Sequence, residues 1–403
     1  MSETARGLWS RNDDAAPTTR LVVDLDAVAR NWLYLKKKLQ NGADCAGVVK
    51  ADAYGLGAAA VSRELFAQGC RHFFVAKWDE GLAVQQALAD VAKAFPYSPV
   101  SAEPVVVDAP AIYVLEGPRG AGSVDFIRSG LVPVLNGLPD ILHWSDAAGK
   151  AGRRLPAVIH IDTGMNRLGL SAAEVAALAA DHAGIFKALD IRYVMSHLAC
   201  ADEPAHPLNA AQLANFHKLT AALGRPLRYS FANSGGIFLG TDYHFDLVRP
   251  GCALYGINPT GQDENPMLPV VTLEARILQT RRIDSPATVG YGASYRIVPP
   301  VKCATVSIGY ADGYLRSLTG RGQVYVRGEK CPVIGRVSMD SIVIDITGIA
   351  SEIVPGDAVE ILGPHRLVDD VAAEAGTIGY EILTGLGRRT PRHYTGGHAA
   401  SEG

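Results

Sequence analysis

The chain has 403 residues, 48% of them hydrophobic and 20% charged, with a formal net charge of −3. That length allows two domains with a substantial apolar core, and the mild acidity argues against nucleic acid or an anionic membrane as a partner. No apolar run reaches the roughly 20 residues that cross a bilayer, and six scattered cysteines without a C-x-x-C pair fit free thiols in a reducing cytoplasm, not a disulfide framework or metal site.

The segment 1–18 carries no apolar core of a secretory signal and reads as a mobile lead-in. An isolated strand follows at 21–25. Short β-branched runs then alternate with Ala/Leu-rich helical stretches. The expected strands are 45–50, 72–77, 111–116, 132–135, 157–161, 193–197, 228–232 and 246–249. Helical patterns lie between most of them, as at 58–68, 81–94 and 172–180. Strands alternating with helices over this span predict a (β/α)8 barrel for 19–258. A doubly wound open sheet is the rival, but no G-x-G-x-x-G follows the first strand. The polar, proline-containing stretch 97–110 reads as a loop insertion.

Beyond residue 258 the texture changes. Runs at 304–308, 323–327, 341–346 and 358–362 are short, β-rich and closely punctuated by Gly, Pro and Asp, which predicts a mainly β domain over 259–403. One helical segment is expected at 368–386.

Polar residues at the carboxyl ends of the barrel strands are the candidates for chemistry, because active sites of such barrels lie there. Lys50 closes the run Ala46-Gly47-Val48-Val49 and opens a glycine-spiked loop. A desolvated strand-end amine favours its neutral form and can condense with an aldehyde cofactor such as pyridoxal phosphate. Alone, such a lysine is more often a side chain reaching for solvent. Arg167 follows the strand 157–161, His197 ends 193–197, Asn233 and Ser234 follow 228–232, and Arg249 ends 246–249. Singly, each is more often structural than functional.

Together they sit in V-V-K-A-D-A-Y-G, D-T-G-M-N-R-L-G, A-N-S-G-G and V-R-P-G-C-A-L-Y-G. Further along come V-G-Y-G-A-S-Y, I-G-Y-A-D-G-Y and G-R-V-S-M-D. In order and spacing this set resembles the alanine racemase family from about residue 21 to residue 394. The resemblance implies a pyridoxal phosphate enzyme that interconverts L- and D-alanine, with D-alanine going to peptidoglycan. It implies Lys50 as the cofactor lysine and one base, and Tyr291 as the second base on the opposite face of the substrate. Tyr54, Ser234, the backbone at Gly251 and Cys252, and Tyr380 would hold the cofactor phosphate. His197 would pack beside the ring, and Arg249 would face the ring nitrogen. Arg167 and the backbone N–H of Met339 would take the substrate carboxylate, with Tyr310 at the entrance and Asp340 nearby. Because the family draws Lys50 and Tyr291 from different subunits, a head-to-tail homodimer is implied.

Three positions depart from the family pattern. Asp52 replaces an asparagine and Leu56 a histidine. His160 stands where a lysine often becomes carbamylated and holds the substrate-binding arginine, so Arg167 is expected to need another partner, chloride or Asp162. The rival functions are a broad-specificity racemase, a pyridoxal-phosphate-binding regulator on a lone barrel, and a decarboxylase of related fold. The Tyr291 domain argues against the lone barrel, and Arg249 in place of an acid argues against the decarboxylase.

Overall fold

The computed structural model describes residues 17–40, 42–94, 109–181, 184–262 and 264–397. The expected lead-in falls almost wholly outside these residues, as does most of the expected insertion at 97–110. The described residues divide into two compact units, one within 25–268 together with 396–397, the other of residues 17–24 and 269–395.

The first unit is a closed parallel barrel. Its strands pair in the sequence His72–Val75, Ala111–Val114, Val132–Leu135, Leu155–His160, Leu189–Met195, Tyr229–Ser230 and Leu247–Val248. The remaining strand comes in two pieces and closes the ring. Asp44–Cys45 pairs with Leu247–Val248, and Gly47–Val48 pairs with His72–Val75. Valine-rich runs form these strands because both sheet faces are covered in a parallel barrel. Ala46, Val48, Phe74, Tyr113, Val134, Val158, Tyr193, Met195 and Leu247 pack into one buried cluster. Helices lie where the periodicity puts them, at Ala58–Ala67, Trp78–Ala94 and Ala172–Asp181. At Gly47 the covering helix comes so close that a Cβ would lie 2.8 Å from Leu65 Cδ1.

The second unit is mainly antiparallel. The 13-residue strand Val271–Ile283 is its spine. Its amino half pairs with Ala358–Leu362 and its carboxyl half with Val301–Val306. The sheet runs on through Ile342–Asp345, Glu329–Ile334 and Gln323–Val326, which returns to Ala358–Leu362. A separate two-stranded hairpin, Ala287–Val289 with Tyr295–Ile297, carries Tyr291 in its loop.

Two expectations need correction. The strand Thr19–Asp24 belongs to the β unit, not to the barrel: it pairs antiparallel with Val271–Ile283 and parallel with Arg392–Thr395. Residue 25 already begins the helix Leu25–Lys38, and the barrel unit runs on to residue 268. The single helix expected at 368–386 is two, Val368–Ala375 and Gly379–Thr384. Gly376 ends the first in the left-handed region, with φ 73°, where its N–H closes on the last turn.

Candidate functional site

Lys50 leaves the end of its strand into an unusual turn. Ala51, Asp52, Ala53 and Tyr54 all have φ between 52° and 58°, a short left-handed turn built without glycine. Side chains there cost roughly 1–2 kcal/mol per residue, so the surroundings must hold the turn in place. Glu80 does much of this. Its carboxylate accepts from the N–H of Ala51 at 2.7 Å, of Ala76 at 2.8 Å and of Lys77 at 3.1 Å. Asp52 accepts from the Ala58 N–H at 2.7 Å, at the start of the following helix. An asparagine could make the same bond, so this departure leaves the turn intact. Leu56 is fully buried as an apolar core residue. The Tyr54 ring lies 4.7 Å from that of Tyr255, whose hydroxyl donates to the Val48 carbonyl at 2.9 Å. Burial first, then the Arg167 charge, lowers the Lys50 amine from its usual value, while Glu80 opposes the shift.

Arg249 is buried at the end of the last barrel strand. It donates to Ser230 Oγ at 2.5 Å, to the Ser196 carbonyl at 2.5 Å and to the Phe231 carbonyl at 3.4 Å. It also lies 3.4 Å from His197 Nδ1. All four of these acceptors are neutral. Burial brings the guanidinium down to about 9, so it remains a cation at neutral pH. His197 is pushed well below the usual histidine value by burial, then by Arg249 and Arg167. A neutral imidazole that accepts at Nδ1 carries its proton on Nε2. Gln212 braces this corner, donating to the His197 carbonyl at 2.9 Å and accepting from the Ala199 N–H at 2.9 Å.

Beside them lies a cradle. Ser234 Oγ accepts from the N–H of Gly251 at 2.9 Å and of Ala253 at 3.3 Å. A Cβ on Gly251 would lie 2.5 Å from Tyr54 Oη. Cys252 is buried in the same turn and close enough to Tyr54 to raise its phenol further, though burial is the larger cause. Hydroxyls and backbone N–H groups around a bare glycine suit a phosphate. With a low-pKa amine at Lys50 and a guanidinium that meets only neutral acceptors, the donor set fits pyridoxal phosphate. Gly251→Ala should therefore lower stability by about 1–3 kcal/mol through overpacking and weaken cofactor retention. Chemical denaturation with and without added cofactor checks this. An unchanged midpoint would mean that Tyr54 moves aside at little cost.

Arg167 is exposed in this chain, on a loop that follows Leu155–His160. Its charge lowers both Lys50 and His197, which ties it to the same barrel end. Asp162 is turned to the loop backbone, where its Oδ1 accepts from Gly164 and Met165, each at 2.9 Å, and from Asn166 at 3.2 Å. That engagement speaks against Asp162 as the partner of Arg167. His160 is buried and lowered to about 4, by desolvation first and then by Arg249. Its Nδ1 lies 2.8 Å from Asn136 Oδ1. With Nδ1 donating there, Nε2 is an acceptor, so this histidine is not confined to the donor role that a protonated ring would have.

The other candidates are on the β unit. Tyr291 is 72% exposed, on a turn shaped by Gly290 at φ 74° and Gly292 at φ 70°. The Gly309–Ala311 and Ser338–Met339 backbones are laced together, with Tyr310 N–H donating to the Ser338 carbonyl and Ala311 N–H to the Met339 carbonyl, both at 3.0 Å. Tyr310 and Met339 are thus neighbours, and both side chains are exposed. Asp340 accepts from Arg389 at 2.8 Å, and Arg389 also reaches Asp312 at 3.4 Å, which makes Asp340 part of an ion-pair network. Tyr380 lies on the helix Gly379–Thr384 and is also exposed.

Glu80, Ser196, Ser230, Asn136 and Gln212 escaped sequence reasoning. Their bonds to the site reach segments distant in sequence, as from Glu80 to Ala51 and from Ser230 to Arg249, and no local pattern marks them.

Comparison with known proteins gives matches over most of the chain. Residues 23–259 match the family model described as alanine racemase, N-terminal domain, and residues 270–394 match that for the C-terminal domain. The chain is 49% identical over 385 residues to a catabolic alanine racemase of Mesorhizobium japonicum, covering 95% of each chain. It is 48% identical to an alanine racemase of Rhodospirillum rubrum, over 94% of this chain and 96% of the relative. Among solved structures it resembles the Bartonella henselae alanine racemase with covalently bound pyridoxal phosphate. The TM-score is 0.85 at 40% identity, covering 94% of this chain and all of that one.

Proposed function

The chain belongs to the alanine racemase family and is a pyridoxal-phosphate-dependent alanine racemase, and we propose that it works with two bases, Lys50 and Tyr291, on opposite faces of the substrate Cα. The observation that carries this reading is the convergence of Lys50, His197, Ser234, Arg249 and Gly251 at one end of the barrel. When bound, pyridoxal phosphate supplies the electron sink that makes the α-hydrogen acidic. Tyr54, Ser234, the Gly251–Cys252 backbone and Tyr380 would hold its phosphate, and Arg249 would face its ring nitrogen. A guanidinium does not give up its proton to such a nitrogen, so Arg249 would keep the sink weak and disfavour transamination.

Racemisation needs a proton removed from one face and delivered to the other. Lys50 is suited to the first face because its lowered pKa raises the neutral fraction that accepts a proton. A phenol ordinarily titrates near ~10 and needs help to act as a base. The Nε2–H of a neutral His197, backed by Arg249, can stabilise the Tyr291 oxygen when it carries charge. Tyr291 lies on the unit that does not contain Lys50, and its ring is exposed. In this reading a second copy of the chain, arranged head to tail as the family resemblance implies, supplies it. Arg167 and the Met339 N–H bind the substrate carboxylate, with Tyr310 at the entrance. The D-alanine made supplies peptidoglycan in the cytoplasm, where the six free thiols would stay reduced.

A racemase of broader amino-acid specificity is the second reading, because His160 changes what backs Arg167. Steady-state turnover on a panel of L- and D-amino acids decides between them. Alanine should have the highest kcat/KM, and another amino acid exceeding it tenfold would favour the broader reading.

His160 also rules out a carbamate at its own position in this scheme. A bound anion such as chloride, not carbon dioxide, would complete the Arg167 site. Activity in degassed, bicarbonate-free buffer should match that with bicarbonate, and exchange of chloride for a bulky anion should raise KM for alanine. A requirement for carbon dioxide would place a modified lysine beside Arg167 after all.

A further inference from the structure

The barrel has a second mouth. A cavity of about 740 Å³ opens among residues at the amino ends of its strands. Tyr193 helps to line it and sits four residues before His197 on one chain segment, so roughly 13 Å separates this floor from the candidate site. That volume falls within the range of small-molecule pockets.

Two tyrosines of the barrel interior form the floor. The rings of Tyr113 and Tyr193 meet edge to face at 6.1 Å. Tyr113 has a hydrogen-bond partner, His72 Nδ1 at 3.0 Å. Tyr193 does not: it is 2% exposed, and its hydroxyl is buried without a partner. An unsatisfied hydroxyl in such a place is a cost that a ligand can remove.

The rim is charged and unbalanced. Arg71, Arg192 and Arg228 line it together with Asp44 and Asp190. Arg228 lies 4.8 Å from the Tyr193 ring centroid and donates to Asp44 at 3.3 Å. Arg192 contacts Asp190 at 2.9 Å. Each of these contacts uses only part of a guanidinium that offers five N–H donors. Burial lowers the His72 imidazole from its usual value, with Arg228 adding to the effect and Asp44 opposing it. The lining therefore holds three fixed cations against two anions.

We propose that this mouth binds a small organic oxyanion, a phosphate- or carboxylate-bearing metabolite, separately from substrate and cofactor. The anionic head meets Arg192 and Arg228 and takes the Tyr193 hydroxyl as a donor. The body of the ligand lies on the two tyrosine rings.

Calorimetric titration of the holoenzyme, with alanine present to fill the candidate site, tests this. The probes are adenosine 5′-monophosphate, succinate and inorganic phosphate. At least one should bind once per chain without changing KM for alanine. Tyr193→Phe should weaken that binding about tenfold or more, the worth of a hydrogen bond to a charged group, and Arg192→Gln should weaken it as well. Tyr193→Phe removes only an unpartnered hydroxyl, so its melting temperature should equal or exceed that of the parent and its kcat should match it. A preference for succinate over the phosphates assigns the head as a carboxylate, and the reverse assigns a phosphate. No binding by any probe at millimolar concentration would overturn the proposal. So would binding that competes with alanine, or binding that both variants leave unchanged.

Discussion

Replacing Lys50 with alanine should remove the covalent hold on the cofactor and lower racemase turnover by about 10⁴-fold or more, since in the proposed scheme one side chain serves as both cofactor anchor and base. The loss should exceed that from any other single change in the barrel. The left-handed turn after Lys50 is held by Glu80, Asp52 and the Tyr54–Tyr255 contact. None of these needs the lysine side chain, so the variant should fold and keep weak, reversible cofactor binding. In the parent, borohydride reduction should fix the cofactor on the peptide that contains Lys50. Lys77, at the end of the adjacent strand, is the control, and a label there would overturn the assignment.

Tyr291→Phe should separate the two faces. If each base serves one side of Cα, as proposed, removal of the phenol should slow α-hydrogen exchange from one enantiomer by about 10²–10⁴-fold. Exchange from the other enantiomer, which Lys50 serves, should fall much less. The ring is exposed, so its hydroxyl contributes little to the fold and stability should not change. Deuterium wash-in followed separately for L- and D-alanine gives the answer. Equal losses for both enantiomers would mean that one group works on both faces.

The role of Arg249 has a signature of its own. Arg249→Glu would put a carboxylate where the guanidinium now meets two carbonyls and a serine hydroxyl. A carboxylate stabilises a protonated ring nitrogen, so racemisation should slow while transamination, read as keto acid released, should rise. A variant that binds the cofactor normally and shows neither change would defeat the ring-protonation argument.

The barrel was largely legible in the sequence because parallel strands buried on both faces read as short valine-rich runs. Seven of the eight expected strand cores appear at or near their expected places, and the eighth, at the start, is split at Ala46. The assignment of Thr19–Asp24 was not legible, since its neighbours lie some 250 and 370 residues away in sequence, as Arg20↔Glu274 and Val22↔His393 show. The break at Gly376 carried a signal, a glycine inside a helical pattern, that periodicity alone outweighed.

The site was legible to a different degree. The chain order of its polar residues marks the barrel end, and the fold brings Lys50, Arg167, His197, Ser234 and Arg249 there. The sequence offers no hint that residues 51–54 wind left-handed, because alanine and tyrosine adopt that geometry only under tertiary constraint. Nor does it foretell that Asp162 caps its own loop, or that His160 is paired with Asn136. Those outcomes depend on which groups the folded barrel places within hydrogen-bond reach.

The central claim is that a working site joins Lys50 of one copy to Tyr291 of another. Mixing the inactive variants Lys50→Ala and Tyr291→Phe, by coexpression with two affinity tags, tests it most directly. In a mixed dimer one site would carry both substitutions and the other neither. The doubly tagged species should therefore regain about half the parental activity per dimer, from one intact site of the two. If Lys50 and Tyr291 of the same copy formed the site, both sites of the mixed dimer would be damaged, and its activity would stay at the level of the variants.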